Sequence, residues 1–231
     1  MIANSDEVIS YTQKRLTIYK FLAYVINTLP DQEFTKEIAS LKFDWVSETD
    51  YQDALDSGAF WLRQFINENS QRDIENLSTT LAVEWTLLFR GIKPGYGPPP
   101  ARASAYRLYD VSFLTEFYHK MGLELARSRF DPDYLGCQLA FLYELVQKEL
   151  DHWKNNNYQI VEDLLVKEKY FISTHLNWVS DFLNDAEKFM STSFYKGVLL
   201  LLEEFIAEDV QWLEYVLTLI PNPLSDIAQH S

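Results

Sequence analysis

Two pairs of residues in this sequence have the types and spacing of metal-site chemistry: Glu116 with His119, and Glu149 with His152. Each is a Glu-x-x-His, which on a helix sets a carboxylate and an imidazole on one face. Two such pairs, with glutamates from two further helices, hold the di-iron centre of ferritin-like bundles. The chain between them argues against that use. Gly122 and Asp131-Pro132 interrupt the stretch from His119 to Glu149, leaving no room for a helix that would bring another glutamate. His152 runs into Lys154, Asn155, Asn156 and Asn157, a solvated helix end. Both pairs are expected to be ordinary surface pairs with no metal bound; a ferritin-like metal-binding bundle enzyme is the runner-up reading, and a helical adaptor with an unrelated partner a third.

Other catalytic signatures are missing. There is no GxSxG elbow, Walker loop or dinucleotide fingerprint; Gly91, Gly95 and Gly97 have the wrong spacing and follow no strand. Cys137, the single cysteine, lies beside an apolar stripe and reads as a packed thiol. One cysteine excludes an internal disulfide and gives no sign of an oxidising compartment. His175 stands four residues after Phe171 and three before Trp178, as a hydrogen-bonded histidine in a core or between helices would. No catalytic residue and no cofactor are assigned.

The elements that would position these residues are helices. Only 7 glycines and 8 prolines occur in 231 residues, and they cluster. In residues 194–220 apolar side chains recur at Tyr195, Leu199, Leu202, Ile206, Val210, Leu213, Leu217 and Ile220, opposite Glu204, Glu208, Gln211 and Thr218. Residues 134–153 carry Leu135, Leu139, Leu142, Val146, Leu150 and Trp153, with Asp131 as the expected N-cap and Pro132 at the first helical position. Ile74, Leu77, Leu81, Trp85 and Leu88 make a third stripe, and residues 160–183 a fourth. Residues 5–28, 31–41, 50–68 and 109–121 also read as helices. No strict alternation and no hairpin signal occur. The fold class is all-α.

Hydrophobic residues at 47% supply a sizeable core. Lys plus Arg number 20 against 34 Asp plus Glu, a formal charge of −14. A field of that sign repels nucleic acid and anionic lipid and attracts basic peptides. Residues 1–15 show no secretory signal, and apolar runs such as residues 198–202 are too short to span a bilayer. A cytoplasmic protein without stable membrane insertion is expected.

One segment breaks the helical pattern. Residues 91–104 hold three glycines and four prolines, an ordered loop or extended strap. A weaker break at residues 128–133 divides the chain into two expected helical subdomains: 1–127, which includes the loop, and 128–231. Around the strap the sequence resembles the TorD/DmsD family of redox-enzyme maturation proteins. A Glu-x-x-x-Leu-Phe-x-Gly helix end is matched by Glu84, Leu88, Phe89 and Gly91, and a proline pair with a Ser-x-aromatic step by Pro98, Pro99, Ser104 and Tyr106. The family's Pro-x-Asp-His segment is similar to the stretch holding Asp133, where Tyr134 stands in place of histidine. Pro100, Ala101 and Arg102 replace the aromatic residue that usually follows the proline pair.

The resemblance implies a TorD-like multi-helix bundle with no catalytic residues. It implies binding of a twin-arginine signal peptide, and of its precursor, the catalytic subunit of a molybdopterin oxidoreductase, until cofactor insertion. Glu84, Trp85, Leu88, Phe89, Pro98, Pro99, Ser104, Tyr106, Asp133 and Tyr134 are the peptide-binding residues it points to. A break between subdomains would also permit a homodimer by subdomain exchange. Burying one large apolar side chain contributes roughly 1.5–3 kcal/mol, and a micromolar complex needs about 8 kcal/mol. A few anchors suffice. If Trp85 and Asp133 face the peptide, replacing either by alanine should weaken binding and leave melting unchanged.

Overall fold

Helices form where the stripes run, and they end where a backbone group finds a partner outside the helix. The computed structural model describes residues 5–41, 57–69, 72–92, 95–122 and 130–220. Its helices are α1 (Ser5–Asn27), α2 (Gln32–Ser40), α3 (Gly58–Asn69), α4 (Ile74–Phe89), α5 (Ala103–Tyr106), α6 (Val111–Lys120), α7 (Leu135–Lys154), α8 (Tyr158–His175), α9 (Val179–Ala186) and α10 (Ser193–Leu219). A single 3-10 turn, Glu187–Phe189, follows α9. Among the described residues there is no strand, and one isolated antiparallel bridge joins Arg102 to Tyr134. The all-α expectation holds. Asp31, Asp73, Asp110 and Thr192 each accept a first-turn amide with the side chain, capping α2, α4, α6 and α10.

Two helix ends differ from the sequence reading. Residues 160–183 do not form one helix. The His175 carbonyl, which would accept the residue-179 amide in a continuous helix, instead accepts from Gln138 Nε2 (3.1 Å) and Trp178 Nε1 (2.9 Å). The Val179 amide turns to Leu176. At the start of α7, Asp131 is not the cap. Residues 131–134 form a turn closed by the Tyr134 amide on the Asp131 carbonyl, and the Leu135 amide donates to Ala101 in the strap at 2.8 Å. The first part of the expected helix 50–68, and residues 128–129 of the weaker break, lie outside the described residues.

Helix α1 packs along α7, α10 packs against α3 and α8, and α7 against α8. At the α3–α10 crossing Gly58 and Gly197 face each other's helix, and a Cβ on either would overlap backbone or side-chain atoms of the other. Glu204 on α10 accepts the Gly58 amide at 3.1 Å, which seats the start of α3.

At the centre of α1, α7, α8 and α10 lies a fully buried cluster of charge. Arg15 donates through Nη1 to Glu149, through Nη2 to Glu168 and through Nε to Asp209, each at 2.5 Å, and all four side chains are sealed from solvent. Glu149 also accepts from Thr12 (3.1 Å) and Trp153 Nε1 (2.7 Å), and Asp209 from Tyr19 (2.6 Å). The expectation of a surface pair fails for Glu149: its partner is Arg15, in the core. Three carboxyl groups face one guanidinium. Glu168 has the fewest partners, with Oε1 unbonded, and burial beside Glu149 holds its proton far above the usual carboxylate range.

Removing one member of such a cluster leaves unpaired buried charge, at a cost of about 3–5 kcal/mol. Arg15→Ala should therefore lower the unfolding free energy in urea by that amount, and a loss under about 1 kcal/mol would contradict the assignment. Burial also lifts Glu204, to about 7. Both acids are raised on folding, so their stabilisation is complete below the unfolded carboxyl value and is lost as pH climbs through the folded ones. Stability should fall between pH 5 and 8, and Glu168→Gln should flatten that fall in pH-resolved thermal melts. An unchanged slope in Glu168→Gln would show that Glu168 is ionised throughout.

Candidate functional site

The strap is built by its glycines and by the ends of two helices. At Gly91 the chain leaves α4 with φ of 64°, and a Cβ there would strike Pro100. Residues 95–100 then fold back, so that the Ala101 amide reaches the Phe89 carbonyl at 3.2 Å. The Ala103 amide donates to the Asp133 carbonyl (3.0 Å), and the Ser104 amide to Asp133 Oδ2 (2.9 Å). The C-terminus of α4, the strap and the N-terminus of α7 are thus one hydrogen-bonded junction.

A cleft of about 380 Å³ opens at that junction, lined by Phe89, Arg90, Gly91, Pro100, Arg102, Phe130, Asp131 and Tyr134. The Arg90 guanidinium lies 5.6 Å from the Phe130 ring centre and 6.0 Å from that of Trp85. Arg102 Nη1 donates to Asp131 Oδ2 at 3.0 Å. Through Gly91 and Pro100 the cleft adjoins a hollow of about 400 Å³ in the strap, and Ile92 links that hollow to an apolar one of about 470 Å³. Leu29, Pro30, Ser78, Thr79, Ala82, Val83 and Thr86 line the last, and among the described residues no charged side chain does.

The residues singled out from sequence divide between this surface and the core behind it. Phe89 and Tyr134 line the cleft. Pro98 and Pro99 line the strap hollow, and the Pro99 carbonyl accepts from Tyr106. Tyr106 is half-buried, stacked on Trp178 at 5.4 Å, and Ser104 is exposed. Asp133 is buried directly behind the cleft, holding the strap. Trp85 and Leu88 belong to the core; Trp85 Nε1 and the Tyr134 hydroxyl both donate to the Ile26 carbonyl of α1, at 3.1 and 2.9 Å. Glu84 is buried away from the cleft. It anchors the start of α10, accepting the amides of Ser191 (2.5 Å) and Thr192 (3.0 Å), and not the loop that follows α4.

Sequence reasoning passed over Arg90, Arg102, Phe130 and Asp131 as cleft residues. Their signal was adjacency, since each flanks a residue singled out or lies in the strap. His175 is buried among Phe113, Phe117, Tyr170 and Phe171 and shares a hydrogen bond with Tyr109, and burial lowers its proton affinity. Glu116 pairs with Lys120 at the surface, at 2.8 Å. Among the described residues no three His, Cys, Asp or Glu side chains are grouped to hold a metal ion.

A comparison with protein families matches residues 48–184, more than half of the chain, to the family described as nitrate reductase delta subunit. The chain belongs to that family. A comparison with curated proteins gives no match. This delta-subunit family is one of chaperones for molybdoenzyme maturation, in agreement with the TorD/DmsD resemblance, and its partners are molybdoenzyme subunits. The matched range holds the strap and cleft residues from Phe89 to Tyr134, while Arg15 and Asp209 lie outside it. Among the described residues no helix is long and apolar enough to cross a membrane.

The burial of Trp85 revises the expectation that its loss would spare the fold. Trp85→Ala should cost about 3–5 kcal/mol and lower the melting temperature, because it opens a cavity and removes one of the two side-chain hydrogen bonds to the Ile26 carbonyl. A melting temperature equal to wild type would put Trp85 on the binding face instead.

Proposed function

We propose that this delta-family chaperone acts in the cytoplasm, where it binds the twin-arginine leader and the precursor of a molybdenum-containing reductase. It holds the precursor until the cofactor is in place. The observation that carries this reading is the cleft where α4, the strap and α7 meet. Its aromatic walls and the Asp131 carboxylate suit guanidinium groups, and the uncharged apolar hollow beyond the strap suits the apolar run that follows them. The two kinds of surface are contiguous, as the two kinds of residue are in such a leader.

In this reading the site residues work at two depths. Pro99 presents surface, with Ser104 and the half-buried Tyr106 at the edge of the strap, and the buried Phe89, Pro98 and Tyr134 form the floor beneath it. Trp85, Leu88 and Asp133 hold that surface in shape from behind, and Glu84 seats α10. No covalent step is involved, and affinity comes from a few desolvated contacts after the ordering cost of the peptide. The division into subdomains 1–127 and 128–231, whose boundary lies outside the described residues, is proposed too, with exchange of the second between protomers as the route to a homodimer.

Calorimetric titration with leader peptides from the host's molybdoenzymes tests the reading. Association in the micromolar range, about 8 kcal/mol, is expected. Replacing both leader arginines by lysine should weaken it, since lysine cannot match a carboxylate in a fork. No detectable heat with every such leader, under conditions where the protein is folded, would end the proposal.

A further inference from the structure

Among the described residues, the cleft proposed above for a doubly basic peptide is lined by two of the protein's own guanidinium groups and one carboxylate. Asp131 is that carboxylate, and Arg102 holds it by a single hydrogen bond from Nη1. Arg102 Nε is buried with no hydrogen-bond partner, so its fork is not satisfied. The second group, Arg90, rests over the rings of Trp85 and Phe130. The cleft thus already accommodates two guanidinium groups in two different ways, one on a carboxylate and one on aromatic faces.

Resting on the leader-binding reading above, we infer that Arg102 is an internal stand-in for one leader arginine: it occupies Asp131 in the free protein, is displaced on binding, and so sets affinity and the preference for arginine over lysine. Three features support displacement. The pair is exposed, with 43% and 65% of the two side chains open to solvent, so it holds only weakly. The backbone around Arg102 is pinned by the amides of Ala101, Ala103 and Leu135, so the side chain can turn away while the cleft keeps its shape. An arginine on a mobile peptide can approach Asp131 with both nitrogens of its fork, which the tethered Arg102 does not do.

The opposite possibility is that Arg102 and Arg90 attract an acidic part of the ligand. The two cases differ in sign. The test is titration of wild type, Arg102→Gln, Asp131→Asn and the double variant with a synthetic peptide carrying two adjacent arginines and an apolar run. The same peptide with two lysines serves as comparison. Arg102→Gln should bind the arginine peptide about twofold to fivefold more tightly, the range an exposed ion pair supplies. Asp131→Asn should bind it more weakly and lose the preference over lysine, and the double variant should behave as Asp131→Asn alone.

An Arg102→Gln protein that binds no tighter than wild type, or more weakly, overturns the inference while leader binding by wild type stands. Absence of binding by wild type and Arg102→Gln alike removes both readings together. Should Arg102→Gln disturb the strap, as judged by circular dichroism, Arg102→Lys keeps the charge without the fork. It is expected between wild type and Arg102→Gln, and binding weaker than wild type would again overturn the inference.

Discussion

A single buried guanidinium organises this fold. Arg15 reaches one carboxyl group on each of α7, α8 and α10 from its place on α1, so four helices are held in one register by four side chains. Taking these groups out of water is costly, and apolar residues of similar volume could have filled the space at no loss of stability. What a charged cluster adds is selectivity: a shifted helix would leave a charge unpaired, whereas a shifted leucine often finds another hole. Burial beside Glu149 raises the proton affinity of Glu168, which works against burying a third negative charge in the cluster.

That register reaches the cleft through α1. Ile26 and Asn27 lie roughly 16 to 18 Å along the helix from Arg15, by the rise of an α-helix. There the Ile26 carbonyl accepts from both Trp85 on α4 and Tyr134 at the start of α7, and Asn27 Nδ2 donates to the Gly136 carbonyl at 2.8 Å. The end of α4 and the beginning of α7 are therefore set by one point on α1, and the strap needs only to bridge two fixed supports. Prolines 98 to 100 restrict the strap before any ligand arrives, and its ends are hydrogen-bonded to Phe89 and Asp133. A surface ordered in advance asks less ordering entropy of its ligand.

The helices were legible because apolar period survives in the sequence whatever the partners are. Charged residues at stripe positions were not legible in the same way. Arg15 follows Val8 and Thr12 on the buried side of α1, and Glu149, Glu168 and Asp209 each sit among buried leucines, aromatics and valines at three- and four-residue spacing. Glu149 read alone looks like half of a Glu-x-x-His pair. Its true partner is 134 residues away, and no local rule connects them. The break after His175 was hidden for the same reason, since Gln138, from another helix, takes the carbonyl that would have continued it. The strap was the opposite case. Its glycines and prolines exclude helix by their own covalent structure, so its place was plain and only the side chains it gathers were not. Asp131 illustrates this: an acid before a proline reads as a helix cap, but the start of α7 is capped by the strap, which leaves the carboxylate to the cleft.

Charge acts on two length scales here, with opposite signs. The chain as a whole carries −14 and draws basic segments toward its surface. Beyond about 8 Å at physiological salt that attraction is screened and carries no information about sequence. Among the described residues the cleft is lined by two arginines against one aspartate, a balance that disfavours an indifferent basic segment. On the proposed reading, a ligand would gain entry there by offering something the resident guanidinium lacks: the freedom to align a planar fork with Asp131. On that reading, attraction at a distance and exclusion at contact would together favour a segment whose cations are arginines in sequence with an apolar run, over the many other basic segments that the same acidic surface would otherwise retain.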